Sequence, residues 1–166
     1  MKLLKADKGR WVFELAAVEK ALLTKVLSLY PMVPAEYPKL SRGQPQAEDQ
    51  KLLEEALAGV REENKQRVAG FLQARGRFRP GKEGEEMHLK RSELDWLLQI
   101  LNDVRVGSWV RLGSPEGPRE TMAALNENTA PLVWGMQVSG NFQMFFLAAM
   151  SGDPPAPPEK PSAGEA

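Results

Sequence analysis

The chain has 166 residues, 42% of them hydrophobic and 27% charged, which is enough for one soluble domain with its own core. Lysine plus arginine and aspartate plus glutamate number 22 each, so no overall charge draws it to nucleic acid or to an anionic membrane. The absence of cysteine excludes a disulfide framework, a thiolate nucleophile and any cysteine metal site.

The opening MKLLKADKG is too poor in apolar residues for a signal peptide, and the cytoplasm is the expected compartment. Residues 2–15 read as a hairpin: Leu3-Leu4 and the alternating Trp11 to Leu15 flank Asp7-Lys8-Gly9, a turn with glycine where a positive φ is wanted. A lone hairpin is marginal in water, so Trp11, Phe13 and Leu15 are expected to rest on helices. From Ala17 the period turns helical, with Val18, Leu22, Val26 and Leu29 as its stripe and Pro31 as its stop. Prolines at 31, 34, 38 and 45 mark an irregular connection through about Ala47. A long helix is then predicted over about 48–74, with Leu53, Leu57, Val60, Asn64, Val68 and Phe71 facing inward. The loop RGRFRPGK ends it, and Met87-His88-Leu89 is a candidate third strand for the hairpin.

The best-marked segment is Ser92 to Leu112, predicted as the central helix (about 92–112). Ser92 with Asp95 suggests a capping box. Leu94, Leu97, Leu98, Leu101, Val104 and Ser108 share one face, Trp96, Ile100 and Gly107 extend it, and a narrow polar arc remains. A short helix is expected over about 119–126. A last one, over about 132–150, is capped by Thr129 and lies within 25 residues that carry no charge. Gln137, Ser139, Asn141 and Gln143 sit inside it, which favours a buried core helix over a membrane span. Gly135 and Ser139 offer a small-residue side that matches Gly107-Ser108, and the two helices are expected to cross there. Residues 153–166 are proline-rich and read as a disordered tail, leaving 1–152 as a single helical domain.

Arg105 falls within the apolar face of the central helix. A buried guanidinium needs a carboxylate, with Glu14, Glu19 and Glu127 as candidates, or it opens onto a cleft; the plainer reading is a buried salt bridge or an arginine that snorkels past the core edge. In the cleft case Arg105 and Asn102 form an anion or partner site. Arg75, Arg77, Phe78 and Arg79 set cations around an aromatic ring, a pattern suited to clamping a phosphate backbone and stacking a base. The plainer reading is a solvated loop, because acidic residues follow at once. His88 is the only histidine and cannot by itself make a usual metal site; the glycines show no phosphate-loop spacing. No metal site and no cofactor are expected.

The stretches FELAAVEKALLTKVLSLYP and ELDWLLQILNDVRVGSWVRLG, the latter with Asn102, Asp103 and Arg105, resemble a bacterial domain-of-unknown-function family. Its genes are often found near the one encoding the substrate adaptor of the Clp protease, and some members are labelled transcriptional regulators. The resemblance implies a mostly helical cytoplasmic protein with no assigned reaction and a link to protein turnover.

The expected fold is mainly α, with four to five helices around the central one and a small N-terminal β-hairpin that a third strand extends. The leading function is a non-enzymatic interaction or regulatory protein with a protein partner. The alternative is a nucleic-acid-associated regulator using loop 75–82. A third, weaker reading is an enzyme with Arg105 as its anion anchor. No membrane partner is expected, and homo-oligomers stay open.

Overall fold

The computed structural model describes residues 1–34 and 47–152, with side chains of the second segment from residue 51 onward. The proline-rich tail and most of the connection before Ala47 lie outside the described residues. In chain order the elements are β1 (Lys2–Asp7), β2 (Arg10–Leu15), α1 (Ala17–Leu27), α2 (Ala47–Gln73), β3 (Phe78–Pro80), β4 (Glu85–Lys90), α3 (Arg91–Arg111), α4 (Pro118–Ala123) and α5 (Ala130–Ser151).

The hairpin forms as expected. Lys8 and Gly9 both have positive φ, 44° and 75°, which matches the right-handed twist of the flanking strands. Strand β4 pairs with the free edge of β2, as the Met87-His88-Leu89 segment suggested. The sheet nevertheless has four strands rather than three, antiparallel in the order β1-β2-β4-β3. The extra strand, β3, lies inside the segment read as loop. At three residues it is too short to show alternation, and it is a strand only because the Gly81-to-Gly84 turn folds it back on β4.

Alternation gives the sheet two unlike faces. Trp11, Phe13 and Leu15 with Met87 and Leu89 turn to the helices and are buried. Phe13 meets the edges of Phe145 and Phe146 at 5.9 and 5.2 Å between centroids, and the Trp11 indole donates to the Ala149 carbonyl. The helix α5 is therefore fastened to the sheet as well as to α3, its most extensive partner. No helix among the described residues is long and apolar enough to cross a membrane.

Helix α3 follows β4 without a loop, and this moves its cap. The N-cap is Lys90, whose N–H donates to the Glu93 carboxylate at 2.9 Å, while Asp95 takes the guanidinium of Arg91 instead of capping with Ser92. Thr129 stands at the N-cap of α5, yet its hydroxyl donates to Ala124 O and accepts from the Asn126 N–H rather than from the first turn.

Two apolar stripes, those of α1 and α2, shift from expectation for one reason: docking, not spacing, chooses the covered sector. In α1 the buried residues are Leu23, Val26 and Leu27, and Val18 is exposed. In α3 the buried sector is the one expected, running from Leu94 round to Trp96, Ile100 and Gly107, with Leu98 left half-buried; the end of α2 at Asn64 and the chain after α1 at Met32 cover its back. In α2, among the described residues, the second half alone is packed. Asn64 accepts from the Trp96 indole at 2.8 Å, and Val68 and Phe71 are buried, whereas Leu53, Leu57 and Val60 stand exposed.

The α3–α5 crossing is half as expected. A methyl on Gly135 would lie 3.1 Å from Ser108 Oγ and 3.7 Å from Val104, so the helices do meet at that small-residue side. Ser139, fully buried, returns its hydroxyl to the Gly135 carbonyl at 2.6 Å. Gly107, however, serves another neighbour: a methyl there would strike the Met32 carbonyl carbon at 2.2 Å and Val33 N at 2.3 Å. Asp103, one turn earlier, holds that same segment by accepting the Met32 and Val33 N–H groups at 2.6 and 3.2 Å.

Candidate functional site

Arg105 is not buried and makes no ion pair among the described residues. It lies one helical step beyond Val104, just past the edge of the covered sector, which is the snorkelling alternative rather than the buried salt bridge. Of its expected partners, Glu14 accepts the Glu83 N–H at 2.9 Å, and Glu19 accepts the Ala16 N–H at 2.8 Å and the N-terminal ammonium. Neither is spent on Arg105.

The guanidinium instead opens onto a groove of about 520 Å³ in the α3–α5 seam. Val106 and Trp109 of α3 form one wall; Met136, Gln137 and Gly140 of α5 form the other. Gly140 makes the seam a saddle: a methyl there would sit 3.6 Å from Arg105 Cδ, so the arginine stem lies across the gap. Trp109 is pinned by its indole N–H on the Pro115 carbonyl at 3.0 Å. Asn102, also exposed and one turn back, shares the face of Arg105 but does not line the groove. Farther along α5, Met144 and Leu147 are exposed. Sequence reasoning found the cation and missed its surroundings, because Met136 and Gly140 sit some thirty residues downstream of Arg105 and only the helix crossing brings them together.

The basic loop divides. Arg77 is committed to the fold: it donates to His88 O at 2.9 Å and to Glu93 at 2.6 Å, and it lies 4.5 Å from the centroid of the Phe71 ring. Burial opposes ionisation of Glu93, but the Arg77 guanidinium and the Lys90 N–H outweigh it and hold the carboxyl below its usual range. Phe78 is half-buried against the core, with the Lys20 ammonium over its ring at 4.7 Å from the centroid. Of the three arginines Arg75 and Arg79 project, as does Lys82, and Arg79 is anchored by Nε to the Gly76 carbonyl at 3.2 Å. Arg75 and Arg79 join a larger basic concavity of about 700 Å³ against the sheet face turned away from the helices.

His88 sits mid-strand in β4, with one ring nitrogen 3.2 Å from Glu86. Among the described residues no group of three or more histidine, aspartate or glutamate side chains is placed to hold a metal ion. Comparison with family models, with curated proteins and with solved structures finds no match.

Proposed function

We propose that this protein is a non-enzymatic interaction protein whose α3–α5 groove takes an apolar segment of a partner, with a carboxylate of that segment on Arg105. One observation carries the reading: an apolar seam between the two most closely packed helices holds a single cation that has no ion-pair partner among the described residues. Groove walls of tryptophan, methionine and valine contribute burial without fixed polar geometry, which suits a partner side chain or helix. A guanidinium at the rim adds orientation by pairing with an anionic group. The resemblance to the family encoded near the Clp adaptor makes the proteolytic machinery the first class of partner to try.

The test is affinity capture from a lysate of the native cells with wild type, Arg105→Glu and Gly140→Leu. The charge reversal repels the carboxylate, and the leucine fills the saddle. A protein held by wild type and lost from both variants supports the groove. An identical set captured by all three, or no protein captured at all, overturns it.

A further inference from the structure

We propose that the outer face of the sheet, with the loop that follows α2, is a binding site for a ligand carrying clustered phosphates, such as an oligophosphate chain. This site is separate from the α3–α5 groove and does not depend on its role.

Strand register builds the site. On the face away from the helices, Asp7, Arg10 and Lys90 form one cross-strand row, and Lys5, Val12 and His88 form the next. Arg10 and Lys90 are direct partners, so two like charges stand opposite each other where a sheet ordinarily loses stability. The concavity of about 700 Å³ gathers them with Lys5, Arg75 and Arg79. Its other charges are Asp7 and the Arg77–Glu93 pair, which cancels itself. Within the concavity five cations therefore face Asp7 alone, with Glu86 outside its lining as the cross-strand partner of Arg79, and none of the five makes an ion pair among the described residues. The protein as a whole is neutral, so this is a local concentration of charge.

The wall is held in place. Arg77 ties the loop to the β4 backbone at His88 and to α3 at Glu93, and Arg79 ties back to Gly76. Arg75 and Arg79 are thus presented from a fixed support. A volume in this range accepts a small polyanion. Trp11 is buried and bonded to Ala149 and Phe78 is packed on the core, so the one ring left to the concavity is the His88 imidazole, which is held at 3.2 Å from Glu86. The site reads charge rather than bases, which favours clustered phosphates over single-stranded nucleic acid.

Thermal melting of the full chain at low ionic strength tests this, with inorganic tripolyphosphate, ATP and a single-stranded oligonucleotide as probes and sulfate at matched ionic strength as control. The informative variant is Lys90→Glu. It places an acid opposite Arg10 and at the N-cap of α3, where both the cross-strand pair and the helix dipole favour it. The apo melting temperature of this variant should stay near that of wild type, the gain opposite Arg10 offsetting the lost attraction of Lys90 for Glu93, while its response to ligand is lost. Arg75→Ala, on an exposed loop, is the second variant and should weaken the response. A rise with tripolyphosphate beyond sulfate, lost in Lys90→Glu, supports the proposal. An equal rise with ATP shows that phosphates suffice; a larger one shows that the nucleoside adds contacts. No rise with tripolyphosphate or ATP, a full response in Lys90→Glu, or a response to the oligonucleotide alone overturns it.

Discussion

Helices α2 and α3 carry apolar stripes of similar spacing and meet opposite fates. Leu94, Leu97 and Leu101 of α3 are 0% exposed, whereas Leu53, Leu57 and Val60 of α2 are 38%, 37% and 54% exposed. Helix α3 lies between α5, α1 and the end of α2, with the strand that feeds it fixed in the sheet. Among the described residues, helix α2 meets its neighbours from Arg61 onward, where Arg61 donates to the Pro34 carbonyl and Asn64, Val68 and Phe71 come against Tyr30 and Trp96. Spacing selects which side of a helix prefers to leave water. Whether that side is covered depends on what the rest of the chain brings to it.

The sharpest way to break this comparison is to cut one leucine from each stripe. Leu101→Ala should destabilise by about 3 kcal/mol, because it removes a fully buried side chain and leaves a cavity. Leu57→Ala should change stability by no more than about 0.5 kcal/mol, as for an exposed site. Urea unfolding of both reads the difference; equal losses would mean that the α2 stripe is covered in solution.

Glycine substitutions sharpen the same contrast with a change of sign. Gly107→Ala should cost about 1–3 kcal/mol, since its methyl collides with the Met32 and Val33 backbone. Gly59→Ala, mid-helix in α2 with nothing within 4 Å of the new methyl, should gain up to about 1 kcal/mol. Denaturant midpoints distinguish the two directly.

Between these helices stands Glu93, which caps α3 and anchors the loop after α2 through Arg77. Its pKa is lower in the folded chain than in the unfolded one. Its contribution is therefore present above the ordinary carboxyl range and is lost as pH falls through the folded pKa. Glu93→Gln should cost about 1–2 kcal/mol at neutral pH and flatten the acid limb of stability against pH, followed by melting between neutral and acidic buffers. The smallest effect is expected at the exposed rim of α3: Arg105→Met should leave stability within about 0.5 kcal/mol of wild type. A loss of several times that in urea unfolding would show that the arginine holds the fold rather than a partner.

Much of the architecture is written in local pattern. The Asp7-Lys8-Gly9 turn, the alternation of β2 and the uncharged run that becomes α5 are each set by neighbours in sequence, and each appears as read. Less of the candidate sites is. Arg105 stands out as a cation among leucines, but its exposure depends on which sector of α3 the end of α2 covers. Arg77 and Phe78 look like half of a phosphate clamp until Glu93 and Lys20 are placed beside them. The cations Lys5, Arg10 and Lys90 belong to strands whose alternation puts them off the core face, but their meeting depends on the β2–β4 register, which no one strand carries.

The sequence by itself determined the element types, the core face of the hairpin and the central place of residues 91–111, because these follow from propensity and period over a few turns of chain. The tertiary structure alone decided the fourth strand, the cap at Lys90, the close approach at Gly107 and the company kept by each arginine. The physical reason is that burial and ion pairing are properties of surfaces in contact, and no single segment carries both sides of a contact.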